Sequence, residues 1–321
     1  MRIAFISNFY PPIQTGSCYW AKNVAKAHLR AGDEVIVVTA GTGKDVSFAV
    51  EDGVQVYRLP TTVTLPKLGM LMNFSQFHLL YSPGNLRRLL PILEKHRVQV
   101  LHNSNHILDG ALLTLAASAK LKIPAVSSIH SIISHNGNKF YDLAMKGLDK
   151  ALLARLMNRF DAIISVDKPS DDYVRNTYSA KRLELIPLCS LTQEEMDKIP
   201  LARPDVLQED GKFRIASVGH ITENRNRLDL IRAIPALLKR GIKPQVDIAG
   251  KELTPLPRRL AQELGVMEYV NFIGEVNHYE LFKLFSRANA ELHLFFMKGI
   301  GCASLEAMAS GLPVTVYGYP G

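Results

Sequence analysis

The stretch FRIASVGHITENRNRLDLIRAIPALLKRGIKPQVDIAG, residues 213–250, contains a complete strand, helix and strand. Its first and last segments are short and apolar, as expected of strands that are covered on both faces. The middle segment, residues 227–241, has apolar residues at helical spacing and ends at a glycine, where helices commonly stop. A unit of this kind predicts a right-handed crossover between two parallel strands.

The same alternation of strand-like and helical segments runs through both halves of the chain. The first half opens with RIAFIS (residues 2–7) and DEVIVVTA (residues 33–40), and the second closes with LPVTVYG (residues 312–318). Strict alternation requires parallel sheets with helices on both faces. We therefore predict an α/β protein of doubly wound, Rossmann-like domains, whose ligands bind beyond the carboxyl ends of the strands.

The pattern predicts two domains and a linker. A first domain is expected over residues 1–191 and a second over 212–321, with a polar, proline-containing linker over 192–211. Two facing domains of this type would bind their ligand in the cleft between them. The second series ends at LPVTVYGYPG, where a further helix is expected, so the C-terminal domain is predicted to be incomplete.

Composition indicates a globular protein of a reducing compartment. The chain has 321 residues, of which 47% are hydrophobic and 21% charged. No apolar run approaches the length of about 20 residues that spans a bilayer, and the N-terminus lacks the features of a signal peptide. The three cysteines are widely spaced and odd in number, so they suggest neither a disulfide framework nor a zinc site. We expect a cytoplasmic protein.

The formal charge of +8 favours anionic partners. Because the basic residues are spread over helices, they are interpreted first as solvated faces, with a weak contact to an acidic membrane surface as the alternative. The chain carries no zinc finger, RNA-recognition signature or arginine-rich arm, so nucleic acid is not an expected partner. One basic region contains Lys139, Lys146, Lys150, Arg155 and Arg159.

Two residues of the predicted first domain are candidates for ligand binding. Gly16 opens the first helix, where a glycine lets backbone N–H groups approach an anion. His130 ends a predicted strand between polar neighbours and suits a hydrogen bond to a sugar hydroxyl or a phosphate. His102 and His106 end another strand and are interpreted as polar rim residues. The loop at Gly16 matches neither the dinucleotide fingerprint nor the phosphate-binding loop of ATPases.

The predicted second domain holds the strongest motif, GIGCASLEAMASG. Gly299 and Gly301 allow close approach of the backbone, and the helix that opens at Cys302 offers its N-terminus to a phosphate. Glu306, in the first turns of that helix, suits the two hydroxyls of a ribose. In a loop earlier in the domain, three side chains can neutralise a diphosphate leaving group. They are His220, Arg225 and Arg227.

The sequence resembles the GT-B glycosyltransferases of the large retaining family 4 along essentially its whole length. In that family two Rossmann-like domains clamp a nucleoside-diphosphate sugar, which passes to an acceptor hydroxyl with retention and without a catalytic metal. No Asp-x-Asp motif appears in this chain. The residues that carry the resemblance are FYPPIQTG (9–16), His130, SVGHITENR (217–225), FIGEV (272–276) and LEAMASGLPV (305–314).

The resemblance implies roles for individual residues. Gly16 would lie near the donor phosphates, His130 would contact the donor sugar and support the transition state, and Glu306 would hold the ribose. His220 and Arg225 match the family's two cations on the diphosphate, the first as a departure from arginine. Backbone N–H groups for the sugar or phosphate would come from Ile300, Gly301, Cys302 and Ala303.

Lys298 departs from the family pattern. It stands at the first acid of the family's motif of two glutamates separated by seven residues, beside the donor sugar. A lysine there would strengthen nucleotide binding or fit an acidic donor sugar. Together with the changes at Thr15 and His220, it would also fit the alternative, a chain that binds nucleotide sugars with little activity.

The expected function is therefore a retaining, metal-independent hexosyltransferase that uses no cofactor. The donor would be a uridine- or guanosine-diphosphate sugar, and the acceptor a glycan or lipid-linked molecule of bacterial surface polysaccharide or glycolipid synthesis. The alternative is a catalytically degenerate nucleotide-sugar-binding subunit of a glycan-assembly complex. A dinucleotide oxidoreductase is disfavoured because the glycine fingerprint is missing.

Overall fold

The chain folds into two compact units, Met1–Cys189 and Ser190–Gly321. The computed structural model describes residues 1–11, 16–63, 78–107, 109–130, 132, 139–188, 191–207, 210–222, 225–294 and 301–316.

The first unit is built on an eight-stranded sheet with the order β10-β9-β8-β7-β1-β2-β4-β3. All neighbouring strands are parallel except β3 and β4. The strands of this unit are β1 Arg2–Ser7, β2 Glu34–Gly41, β3 Ser47–Glu51, β4 Val54–Pro60, β5 Thr62–Val63, β6 His78–Leu79, β7 Val100–Asn103, β8 Ala125–Ile129, β9 Ala162–Ser165 and β10 Leu183–Leu185, of which β5 and β6 form a separate antiparallel pair.

Helices cover both faces of this sheet. Successive residues of a strand point to opposite faces, and along β1 the side chains of Ala4 and Ile6 enter one hydrophobic cluster while Ile3 and Phe5 enter another. The helices are α1 Gly16–Arg30, α2 Pro83–Lys95, α3 Gly110–Leu121, α4 Lys139–Leu148, a π-helical turn Asp149–Leu153, α5 Ala154–Met157 and α6 Lys168–Thr177.

The β3–β4 hairpin departs from the predicted purely parallel sheet. Its two strands are antiparallel and joined at Asp52 and Gly53, which have positive φ angles of 49° and 82°. An Asp-Gly pair favours such a two-residue hairpin turn because its backbone twist matches that of the strands. The hairpin adds one antiparallel strand to the edge of an otherwise parallel sheet.

The second unit contains a five-stranded parallel sheet with the order β13-β12-β11-β14-β15. Clusters on both faces bury its strands, as the doubly wound prediction requires. The elements are β11 Phe213–Val218, β12 Pro244–Ala249, β13 Val270–Gly274, β14 Ala290–His293, β15 Val314–Val316, α7 Gln193–Met196, α8 Arg227–Lys239, α9 Leu256–Glu263, a 3-10 turn Met267–Tyr269, α10 His278–Phe285 and α11 Cys302–Ala309.

Residues 192–211, predicted as a linker, belong to the second unit in the structure. Thr192 caps α7, and its capping box with Glu195 satisfies backbone N–H groups at the start of that helix. Leu191 and Ile199 are buried in one of the hydrophobic clusters of the unit. The apolar contacts of this polar-looking stretch therefore fix it to the domain that follows.

None of the helices in the described part of the chain combines the length and apolar character needed to cross a membrane.

Candidate functional site

The carboxyl edge of the first sheet is lined with polar side chains that satisfy one another. The adjacent strands β1, β7 and β8 end there. Ser104 Oγ donates to Ser7 Oγ at 2.7 Å, and Asn103 Nδ2 donates to Ser127 Oγ at 2.9 Å, with all four residues buried. Buried polar groups are normally paired in this way, so a buried group at this edge without a partner suits a ligand.

His130 provides such a group. It directly follows β8, and its Nε2 atom is buried without a hydrogen-bond partner among the described residues. Burial lowers the pKa of His130 to about 3, so the ring is neutral at physiological pH. A neutral imidazole has one N–H donor and one acceptor nitrogen, which suits contact with a sugar hydroxyl.

The ring of Trp20 packs against His130. The two ring centroids are 4.3 Å apart and the planes meet at 69°, an edge-on contact. Trp20, on α1, is itself buried and also contacts the ring of His102, at 5.6 Å between centroids. The orientation of His130 therefore depends on Trp20, a residue that no motif in the sequence marks as functional.

We predict that Trp20→Ala lowers the kcat of any reaction that His130 supports about tenfold, because the His130 ring loses the contact that orients it. Removing a buried tryptophan should also cost about 3–5 kcal/mol of stability. Trp20→Phe, which keeps an aromatic ring there, should restore kcat. The comparison is made by steady-state kinetics below the melting temperature of each variant. Equal kcat in the alanine and phenylalanine variants would contradict the positioning role.

Three other residues named from the sequence lie on the first unit. Gly16 is the first residue of α1, as predicted for a residue that opens a helix. His102 and His106 are buried and not on a polar rim: His102 lies on β7, inside the sheet, and His106 follows that strand by three residues. The Nε2 of His102 lies 2.7 Å from Ser128 Oγ, and the ring of His106 lies beside Tyr173 and Tyr178.

On the second unit, Arg225 lies against the carboxyl end of β11. A Cβ atom added to Gly219 would come within 2.8 Å of Nη1 of Arg225, so the guanidinium covers that glycine closely. Burial lowers the pKa of Arg225, and the nearby Cys302 and Glu291 act in the opposite direction. The guanidinium of Arg225 therefore lies within electrostatic range of the first residue of α11.

His220 shares this edge of the sheet. Its pKa is lowered, first by partial removal of the ring from water and then by the charges of Arg225 and Lys251, while Glu275 opposes them. The loops after β11 and β12 thus bring Arg225 and Lys251 to one edge, where the loop after β13 adds a single acid, Glu275. An edge of this charge suits an anionic group.

The N-terminus of α11 offers backbone N–H groups to the same region. Its N-cap, Gly301, is extended and has no side chain to cap the helix, so no side chain at this position competes with an anion for the first N–H groups. A Cβ atom at Gly301 would lie 2.9 Å from Cε1 of His293, which shows how closely the backbone approaches that ring. Burial raises the pKa of the Cys302 thiol to about 11, so Cys302 acts here as a small neutral residue.

Glu306, one turn further along α11, is buried. It accepts a hydrogen bond from His278, with 3.1 Å between His278 Nε2 and Glu306 Oε1. His278 opens α10, and its ring packs against that of Phe282, with the centroids 4.9 Å apart and the planes tilted by 44°. The carboxylate is thereby oriented through one oxygen. An oriented carboxylate beside an anion-binding helix N-terminus is suited to a hydroxylated group attached to a phosphate.

Comparison with known families agrees with this geometry. A family model described as Glycosyltransferase Family 4 matches residues 16–189, and one described as Glycosyl transferases group 1 matches residues 199–321. The chain belongs to glycosyltransferase family 4. It is therefore a glycosyltransferase enzyme.

Similar proteins cover nearly the whole chain. An uncharacterized glycosyltransferase of Methanocaldococcus jannaschii is 28% identical over 98% of this chain and 80% of its own length. The alpha-monoglucosyldiacylglycerol synthase of Streptococcus pneumoniae is 24% identical over 100% of this chain and 72% of its own. The structure of a sucrose-phosphate synthase from Thermosynechococcus elongatus shares 18% identity with a TM-score of 0.71, covering 98% of this chain and 80% of that one. This likeness confirms the predicted GT-B fold.

The second unit of this glycosyltransferase brings together several of the residues predicted to bind the sugar donor. The other predicted residues lie outside the described residues. Lys298, Gly299 and Ile300 fall in the latter group, so their roles stay predictions. Ala303 is partly buried against a hydrophobic cluster. The residues that share the carboxyl edge of the second sheet are His220, Arg225, Gly301, Cys302, Ala303 and Glu306.

Sequence reasoning missed a buried acid beneath the site of the glycosyltransferase. Glu291, on β14, is fully buried and accepts a hydrogen bond from Ser304 Oγ at 3.1 Å, which joins α11 to the sheet. Arg227 is buried nearby and donates to the carbonyl oxygen of Arg225 at 3.3 Å. Burial raises the pKa of Glu291 to about 7. A lone carboxylate inside the apolar strand segment AELHLFF was the available signal.

Within the described ranges, no three His, Cys, Asp or Glu side chains are grouped closely enough to hold a metal ion.

Proposed function

We propose that the chain transfers a hexose from a uridine- or guanosine-diphosphate sugar to a hydroxyl of a glycan or lipid-linked acceptor. Transfer proceeds with retention at the anomeric carbon and without a catalytic metal or other cofactor. The observation that carries the proposal is the convergence of Arg225, the N-terminus of α11 and the carboxylate of Glu306 at one sheet edge. These three features match the diphosphate and the ribose of such a donor.

The proposed reaction breaks the bond between the anomeric carbon and the diphosphate oxygen. The nucleoside diphosphate leaves with the electron pair, the acceptor oxygen bonds to the anomeric carbon, and the acceptor proton passes to the leaving diphosphate. Arg225 and the helix N-terminus stabilise the negative charge that develops on the leaving group. Cationic side chains thus supply the charge stabilisation that metals supply in other transferases.

The acceptor and the place of action are proposed from the relatives and the charge. One relative is named for the synthesis of a glucosylated diacylglycerol, and the present chain carries a net charge of +8. We therefore propose a role in surface polysaccharide or glycolipid synthesis, in the cytoplasm and at the inner, acidic face of the membrane.

We predict that a saturating ribonucleoside diphosphate raises the melting temperature of the protein and that Glu306→Ala abolishes this shift. A ligand at about 100 times its Kd stabilises the folded state by about 2.7 kcal/mol, and the variant lacks the carboxylate that holds the ribose. The measurement is differential scanning fluorimetry with uridine, guanosine and adenosine diphosphates. Each shift is taken relative to the melting temperature of the same variant, because Glu306→Ala also removes the hydrogen bond between His278 and Glu306.

Glu263→Ala is the matched control. Glu263 is an exposed glutamate at the end of α9, so this variant should keep the full shift. No shift in wild-type protein with any nucleoside diphosphate would refute the donor-site assignment. Nucleotide binding without turnover of any nucleotide sugar would instead favour the alternative function, a non-catalytic subunit that binds nucleotide sugars, with which Lys298 is compatible.

A further inference from the structure

The helical segment from Lys139 to Met157 exposes apolar side chains to solvent. Phe140 is 87% exposed, Leu143 70%, Leu152 58% and Leu148 42%. A helix on a globular domain normally turns its apolar residues toward the core. A contiguous exposed apolar strip of this kind marks an interaction surface.

The exposed residues share one side of the segment. Phe140 and Leu143, three positions apart, lie on one helix face, and Leu148 and Leu152, four positions apart, lie on a neighbouring face, away from the buried Asp149. The π-helical turn Asp149–Leu153 accommodates an extra residue, and Asp149 and Leu153 are both buried there while Leu152 stays exposed. The exposed strip therefore continues across the irregularity in the helix.

Basic residues flank this strip. Lys146, Lys150 and Arg155 are exposed. The segment has two acids, and one of them, Asp149, is buried and cannot offset the outer charge. A positive rim around an apolar strip is complementary to an anionic lipid surface, where apolar side chains enter the acyl boundary and lysines contact headgroups.

The inner side of the segment is anchored next to the proposed catalytic edge. Asp149 accepts hydrogen bonds from the hydroxyls of Tyr173, at 2.6 Å, and Tyr178, at 2.8 Å. The rings of both tyrosines lie beside that of His106, with centroids 6.4 and 6.2 Å away. Lys139, the first residue of the segment, comes nine positions after His130 in the sequence. The outer side of the segment is thus available without unfolding the unit.

We propose that one face of this segment, here called the docking face, binds the surface of an anionic lipid bilayer. The docking face is formed by Phe140, Leu143, Lys146, Leu148, Lys150 and Leu152. The proposal rests on the proposed function in one respect, namely that docking brings a lipid-linked acceptor to His130. A second copy of the chain is disfavoured as the occupant because a symmetric dimer would oppose identical positive rims.

The test is cosedimentation of the full chain with vesicles of phosphatidylglycerol and phosphatidylcholine in equal parts, or of phosphatidylcholine alone. We expect binding to the anionic vesicles that weakens with added salt. The Lys146→Gln/Lys150→Gln pair should lower the partition coefficient about tenfold or more, at roughly a factor of five per lysine. Phe140→Ser/Leu143→Ser should lower it to a similar extent by removing apolar insertion.

Arg87→Gln/Arg88→Gln is the charge-matched control, since both arginines are exposed on α2; it should bind as wild type does. The nucleoside-diphosphate shift of every variant is measured in parallel and should be unchanged, so a failure of docking is distinguished from a failure of the proposed function. The proposal is overturned if anionic vesicles do not bind wild-type protein, or if the control pair weakens binding equally. Formation of a dimer that Phe140→Ser/Leu143→Ser disrupts would also overturn it.

Discussion

Replacing His130 with alanine should lower the kcat of sugar transfer by a factor of about 10²–10³ while the protein stays folded and still binds nucleoside diphosphate. The ring presents a buried Nε2 with no hydrogen-bond partner in the described part of the chain, so its capacity to bind the donor sugar is not spent elsewhere. One preorganised hydrogen bond to a transition state contributes about 2.7–4 kcal/mol. The measurement is steady-state transfer from the nucleotide sugar that a donor screen identifies.

A pH profile separates this role from proton transfer. Because burial holds the pKa of His130 at about 3, wild-type kcat should show no titration of this ring between about pH 5 and pH 8. His28→Ala serves as the control, since His28 lies on α1 and binds Asp33 at 2.7 Å, and it should keep full activity. A His130→Ala variant that retains more than about a tenth of wild-type kcat would contradict the role.

Most of the fold could be predicted from the alternation of strand-like and helical segments. The residue periods of strands and of helices can both be recognised within a few neighbouring residues. The two departures also had local signals. The pair Asp52–Gly53 is a favoured hairpin turn. The spacing of Thr192 and Glu195 is that of a capping box, which indicates a helix within the supposed linker. The stretch 192–211 is polar overall, but burial of Ile199 and the hydrogen bonds that Asn289 donates to two of its carbonyl oxygens attach it to the second unit.

The candidate site was less predictable because its supports come from distant parts of the chain. The position of Glu306 in a helix after a glycine turn could be read locally, but its partner His278 lies 28 residues away. Glu291 and Ser304 meet only because β14 and α11 pack together. Local sequence thus indicated candidate groups for the site, whereas the residues that orient these groups could be identified only from the tertiary structure.

The carboxyl end of β12 should tolerate no side chain at Gly250, and Gly250→Ala should destabilise the second unit by about 4 kcal/mol or more. The added Cβ atom would lie 2.2 Å from the carbonyl oxygen of Gly219 and 2.9 Å from the backbone nitrogen of His220. All of these atoms belong to backbone, which cannot move aside as a flexible side chain would. The φ angle of Gly250, 143°, is also one that residues with a side chain rarely adopt.

Gly265→Ala separates the contact from the backbone conformation. Gly265 also has a positive φ, 65°, but a Cβ atom there would meet nothing within 4 Å, so only the strain of about 1–2 kcal/mol remains. Thermal unfolding should therefore show a clearly larger loss for Gly250→Ala, and equal losses would refute the clash. Relief of the clash must move Gly219, against which the Arg225 guanidinium lies. Any folded Gly250→Ala protein should consequently lose its stabilisation by nucleoside diphosphate, whereas Gly265→Ala should keep it.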